Sequence, residues 1–405
     1  MNTITLNGVY ADSVIYAKGI EVTAEDTLLR YQNNEVSAGS TIRIMPDVHA
    51  GKNSVVGFTA TLNDCVVPSI IGVDIGYGIS AYNLGKGRIG FEKLDRFIRK
   101  NIPFGTNTRY PIYPELETVY DTIAAEGSFQ EFKSAVRRVC EAQGQIVPRV
   151  LGALGSLGGG NHFIEIDHDE EKNRWLLIHS GSRNFGYHIA GYHEEIAVKI
   201  GRENPIKFIT GDAAEAYIRD AALAQVFAQV NRAVIAKDII EGFFDISMEG
   251  LEKIESIHNY IDLKDRIVRK GAISARAGER VLIPFSMSDG AVIAVGKGNP
   301  EWNYSAPHGA GRKIARSQAK GLSLDEYRKR MRGVWSNSIN KNTLEESPMA
   351  YKRTRDILDY LPQTVDIQKR LLPVFNFKPE EFVSARGRRP DVYGSVPKDI
   401  DISED

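Results

Sequence analysis

Cysteine is nearly absent. Two occur in 405 residues, Cys65 and Cys140, and neither belongs to a CxxC pair. That excludes a zinc ribbon and a disulfide framework and suits a reducing compartment. No apolar run approaches the ~18 residues that cross a bilayer. The opening MNTITLNGVYADSVIYAKG has no basic stretch leading into an apolar core, so no secretion signal is read. The expected location is the cytoplasm, with no membrane partner. An excess of one charge is also lacking: 51 basic and 52 acidic side chains leave a net −1. No global basic field draws nucleic acid. Nucleic-acid contact would need local patches such as KRTR (352–355) or RGRRP (386–390), each of which reads first as solvated surface.

What is present is an ordinary globular composition, 42% hydrophobic and 25% charged. A chain of this length can bury a large core without covalent staples. Length alone suggests two or three units of ~150 residues, but no internal repeat or clear linker divides the chain. Strands are expected at TIRIMP, VVGFTATL and VVPSIIGV, then at FIEI, WLLIHSGSR, RVLIPF and AVIAVG. Helical spacing appears in EKLDRFIRK, ELETVYDTIAAEG, FQEFKSAVRRVCEAQGQIV, SLDEYRKRM and AYKRTRDILDY. The longest helical signal runs over 212–244, with Asp212 a candidate N-cap, and Ser323 caps a later helix. The reading is one large mixed α/β domain over 1–378, with mixed sheets surrounded by helices, and a charged tail at 379–405.

The chemistry gathers at element ends. LGSLGGGNH holds glycines at 155, 158, 159 and 160 before a strand. It is no Walker loop, because no GK[ST] follows. It is no dinucleotide fingerprint, because a strand follows rather than a helix. Taken alone it reads first as a flexible turn between helix and strand, and only second as a binding loop. Asp47 and His49 follow one expected strand, and Asp74 lies between glycines. His162, His179, His258 and His308 each stand beside Gly, Asn or Ser. One such histidine is usually a hydrogen-bonded structural residue. Several at glycine-rich turns, where binding groups concentrate, point to a His/Asp site for Mn²⁺, Fe²⁺, Co²⁺ or Zn²⁺. The residues alone lead to a metal enzyme with phosphate-friendly loops and no further.

In this order, MPDVHAGK, GVDIGYG, LGSLGGGNHFIEI, IHSGSRNFG, HNY, RKGAISARAG, SAPHGAGR and PMAY resemble the RtcB family of RNA ligases. Weaker similarity reaches LLPVFNFK. The resemblance implies a central metal and nucleotide cleft. It implies joining of RNA 3′-phosphate or 2′,3′-cyclic phosphate ends to 5′-hydroxyl ends, with GTP and one or two Mn²⁺ ions, in RNA repair or splicing. A helper protein is left open. His308 matches the guanylylated histidine. Asp74, His162, His179 and His258 match metal ligands. Asn161, Phe163, Glu165, Ser286, Ala310, Gly311, Tyr351 and Lys378 match residues around the nucleotide, Glu165 accepting from the guanine edge. Arg183 matches a candidate for RNA phosphate.

Three departures accompany the resemblance. Tyr77 stands where the family's metal-binding cysteine is expected, and a phenol is bulkier and less acidic than a thiol. The loop PFSMSDG brings Phe285 and Asp289 to a place where the family pattern reads PGSMG. The chain also continues 27 residues beyond Lys378. Two alternatives follow: a catalytically impaired nucleotide- or RNA-binding homologue, and a metal phosphoesterase acting on RNA ends.

Overall fold

The computed structural model describes residues 2–51, 54–123, 126–201 and 203–379. The 30-residue helix Gly211–Ile240 is its spine. Its second half, from Phe227 to Ile240, is apolar and buried on nearly all sides, whereas the first half exposes Asp212, Glu215 and Arg219. Its first half packs on the edge of one sheet at Asn259–Asp262, with Tyr217 close to Ile261 and Val268. Its last turns, through Ile235, Ala236, Ile239 and Ile240, pack with Ile164, Ile166, Leu176 and Ile178 of another. Both sheets therefore share one buried helix, the mixed α/β architecture expected from the sequence.

The first sheet has six strands in the order Ile4–Leu6, Ser13–Ile15, Ile42–His49, Val56–Thr61, Ile267–Lys270 and Asn259–Asp262. The second has seven, in the order Arg280–Pro284, Ala291–Gly296, Val365–Phe377, Phe163–His168, Arg174–Ser180, Gly78–Asn83 and Lys253–Ile257. Its two outer strands meet, with Leu282 N–H donating to Ser256 Oγ at 2.8 Å, so the sheet is nearly a barrel. Alternation along each strand sorts the side chains. Trp175 and Leu177 point into the barrel with Ile79, Leu282, Ile293 and Leu371. Leu176 and Ile178 point outward to the helices. A third, two-stranded sheet pairs Ala272–Ser274 with Ser305–Pro307 and delivers His308 just past its end.

Several local expectations change. VVPSIIGV is not a strand: Pro68 opens a short helix, Pro68–Ile71, where its missing N–H costs no hydrogen bond. Asp212 lies in the first turn of the long helix rather than at its cap, which is Thr210. Ser323 does cap its helix, accepting from Glu326 N–H at 3.3 Å. AYKRTRDILDY is helical only over Thr354–Leu358. Lys352 of the KRTR run is not solvated surface, because its ammonium donates to the carbonyls of Pro46 and Val48. The tail beyond Pro379, with RGRRP, lies outside the described residues. Among the described residues, no helix is long and apolar enough to cross a membrane.

Candidate active site

Loops from both large sheets and the small one converge on a cleft of about 820 Å³. Asp74, Asn161, Phe163, Glu165, His179, His258, Ser286, His308, Ala310, Gly311, Tyr351 and Lys378 all border it. His162 and Arg183 do not. Arg183 instead donates to Gly105 O at 2.6 Å and Ser156 Oγ at 3.1 Å, securing the glycine-rich loop. Arg316 is a guanidinium that does border the cleft.

His308 is held by a residue the sequence singled out without a role. Asp47 is fully buried, and its Oδ2 accepts from His308 Nδ1 at 2.6 Å and from the His308 backbone N–H at 3.2 Å. With Nδ1 donating, the Nε2 lone pair is left for the cleft. The approach needs Gly311: its φ is +72°, and a Cβ there would stand 2.1 Å from the Asp47 carbonyl oxygen.

The other histidines form a compact group. His179 Nε2 and His258 Nε2 are 2.9 Å apart. Two nitrogens bound cis to one ion at ~2.1 Å stand about 3 Å apart, so this pair converges as ligands do. His179 Nδ1 faces Asn161 O at 3.2 Å, and His162 Nδ1 faces Leu157 O at 2.5 Å. Donation from each Nδ1 leaves Nε2 as the lone-pair nitrogen, the tautomer a metal ligand needs. His162 Nε2 is buried and has no hydrogen-bond partner. Burial drives the imidazoles of His162 and His258 well below their ordinary range and that of His179 to about 3. All three are neutral at pH 7, as ligation requires.

Tyr77 lies in their midst. Its ring centroid is 4.7 Å from that of His162, 6.2 Å from His179 and 6.4 Å from His258. The ring rests on Gly181, where a Cβ would meet it at 1.9 Å. Burial, reinforced by the Asp74 carboxylate, pushes the phenol far up, so it is neutral. Among the described residues, no group of three or more His, Cys, Asp or Glu side chains is arranged to hold an ion. His179 and His258 are the imidazole pair whose Nε2 atoms lie within reach of one ion, with the Tyr77 ring beside them.

Across the cleft, Glu165 Oε2 accepts from Asn376 Nδ2 at 2.5 Å. Lys378 Nζ donates to Asn161 O at 3.2 Å, pairs with Glu346 at 3.4 Å, and lies 5.2 Å over the Phe163 ring. Glu346, which the sequence did not flag, also accepts from Tyr351 OH at 2.6 Å and pairs with Arg312 and Arg316. One buried carboxylate thus organises three cations and a phenol. Asp289 does not reach the cleft, because its Oδ2 accepts from Thr354 Oγ1 at 2.7 Å. Phe285 packs with Ile283, Ile357 and Ala310.

Beneath the site, two adjacent polar residues of the spine helix tie its loops together. Asn231 Oδ1 accepts from the N–H groups of Gly155 and Ser156, while its amide donates to Ser180 Oγ and Gly181 O. Arg232 donates to the carbonyls of Gly76 and Ser180 and pairs with Glu255 at 2.8 Å. Burial alone would raise Glu255, but Arg232 and Lys253 hold it at about 2. The available signal was Asn-Arg inside the apolar run VFAQVNRAVIA.

The sequence family described as tRNA-splicing ligase RtcB matches residues 36–379. The RNA-splicing ligase RtcB of Escherichia coli (strain K12) is 31% identical, over 77% of this chain and 83% of that protein. The tRNA-splicing ligase RtcB of Aeropyrum pernix is 28% identical, over 85% of this chain and 88% of its own length. The RNA-splicing ligase RtcB of Mycobacterium tuberculosis is 26% identical, over 82% and 95%. The family match spans the seven-stranded sheet, four of the six strands of the first sheet, the spine helix and nearly all of the residues that border the cleft, and on that extent this chain belongs to the RtcB family.

Proposed function

We propose that this chain is an RNA ligase that joins RNA 3′-phosphate or 2′,3′-cyclic phosphate ends to 5′-hydroxyl ends, with GTP as the activating nucleotide. The observation that carries the reading is His308 at the cleft, with Nδ1 fixed by buried Asp47. A neutral imidazole so held is a nucleophile aimed at one place. His308 Nε2 attacks the α-phosphorus of GTP, a P–N bond forms, and pyrophosphate leaves. The GMP group then passes to the RNA 3′-phosphate, and the 5′-hydroxyl oxygen displaces GMP as the phosphodiester forms. Glu165 accepts from the donor edge of guanine, with Lys378 and Phe163 beside it. Ser286, Ala310, Gly311 and Tyr351 complete the nucleotide side. Mn²⁺ at His179 and His258, with Asp74 and His162 as further donors, would offset phosphate charge. Arg316 borders the cleft for RNA phosphate, and Arg183 supports the loop beneath. Two free cysteines suit a cytoplasmic place in RNA repair or splicing.

The test is incubation with GTP labelled at the α-phosphate and Mn²⁺, followed by denaturing electrophoresis. A protein–GMP adduct is expected, and it should vanish in His308→Ala while the fold remains. An unchanged adduct yield in that variant would falsify the assignment. Tyr77 favours a second reading, a homologue that keeps nucleotide and RNA but ligates poorly. GTP retained only noncovalently would support it, and RNA ends dephosphorylated without GTP would indicate a phosphoesterase.

A further inference from the structure

Acidic residues alternate along the strand Phe163–His168 and just beyond it, at Glu165, Asp167 and Asp169. A period of two places all three on one face, which here is the inner face of the nearly closed barrel. Their surroundings differ. Asp169 sits at the far rim, where despite burial the donors Asn173 and Trp175 hold it at about 2. Lys369 is 3.4 Å away. Glu165 sits at the cleft rim, with Asn376 donating to it. Asp167 lies between them, fully buried, opposite Trp175 and Pro373 of the neighbouring strands.

No N–H or O–H group of the described residues donates to either Asp167 oxygen. Its side chain interacts with that of Glu165. A carboxylate with no donor in an apolar interior is not tolerated, whereas a neutral carboxyl can give its one proton to a neighbouring anion. Few other charged groups face the pair. From its own strand there is Asp169. From Val365–Phe377 there is Lys369, and just past it Lys378, itself paired with Glu346. From Arg174–Ser180, His179 lies opposite Phe163. The remaining strands turn apolar side chains and Ser256 inward.

We propose that Asp167 is a positioning residue for base recognition: its neutral carboxyl donates to Glu165, keeping Glu165 ionised and turned so that its free lone pairs meet the donor edge of guanine. This rests on the nucleotide reading above. An ionised Glu165 offers only acceptors, which match guanine N1–H and N2–H₂. A protonated Glu165 offers one donor and one acceptor, which match the adenine edge. Base preference therefore follows the location of one proton. Burial drives Asp167 well above the usual carboxylate range. Burial also raises Glu165, to about 7, against the pull of its hydrogen bonds from Asn376 and Asp167.

The experiment measures GMP and AMP binding to the full chain between about pH 5.5 and 8.5, monophosphates being chosen so that no chemistry follows. GMP affinity in the wild type should fall up to about tenfold per pH unit below a midpoint near neutrality, with AMP discriminated less there. Asp167→Ala removes the donor and should move that midpoint up by about one unit or more. Asp167→Asn keeps an N–H donor and should leave it in place. An unchanged or lowered midpoint in Asp167→Ala overturns the proposal, since loss of an ionised neighbour would lower it. Infrared spectra of the ligand-free protein give a check that needs no nucleotide and no cavity-forming variant. A neutral carboxyl C=O band at about pH 8.5, lost in Asp167→Asn, is expected. Its absence overturns the proton assignment whatever the nucleotide data. Its presence without GMP binding at any pH overturns the nucleotide reading and, with it, the recognition role.

Discussion

Asp47 and His308, 261 residues apart in the chain, meet at 2.6 Å between Oδ2 and Nδ1. The carboxylate is buried and the imidazole faces the cleft, so Asp47 fixes both tautomer and direction. Asp47→Asn can donate to Nδ1 and favour the wrong tautomer. The rate of GMP-adduct formation should drop on the order of 10²–10⁴-fold, the range for such a change in a carboxylate–histidine pair. Single-turnover labelling checks it. A rate within threefold of wild type would remove Asp47 from the mechanism.

Tyr77 fills space among the three imidazoles proposed as metal donors. Tyr77→Cys replaces the ring with a smaller side chain that ligates as thiolate. Metal content at saturating Mn²⁺ should rise from about one toward two ions per chain, read by elemental analysis. Circular dichroism should stay unchanged. Two fully occupied positions in the unsubstituted chain at low Mn²⁺ would contradict the proposed occlusion, as would a variant with unaltered metal content.

In the proposed ligase, Glu165 is the group that would favour guanine. Glu165→Ala should weaken GTP use by on the order of 1–3 kcal/mol, the range for losing hydrogen bonds to a charged acceptor. Competition of ATP against labelled GTP provides the measurement. Equal labelling of the wild type by both nucleotides would dismiss the role.

Arg232 is fully buried against Glu255 and two loop carbonyls. Arg232→Met leaves Glu255 with its main partner gone and frees the loops at Gly76 and Ser180. A loss of ~3–5 kcal/mol is expected, as for a broken buried pair. Denaturant unfolding reads it directly. A midpoint equal to wild type would mean that water replaces the guanidinium at no cost.

Much of this was legible because it is local. GNHFIE and HGAGR place His162 and His308 at strand ends by their own turn chemistry, and alternation along FIEI sets the face of Glu165. Alternation in WLLIHS placed one set of side chains toward each face. VVPSIIGV misled because a short apolar run reads alike as strand or buried helix, and Pro68 settled it. The 13-residue strand Val365–Phe377 is not legible in the sequence, because its first half is largely polar and its two halves pair with different neighbouring strands.

The sequence by itself determined the family, the mixed α/β class and the residue types at the cleft. Those follow from short segments whose spacing and turn residues act over a few positions. Only the tertiary structure decided which of them cooperate. It set Asp47 behind His308, Glu346 among three cations, Asn231 and Arg232 under three loops, and Tyr77 between the histidines. It also turned Arg183 away from the cleft and left Asp167 without a donor. Each depends on contacts between distant segments and on burial, which sets the cost of charge and the place of a proton, and neither is written in any local pattern.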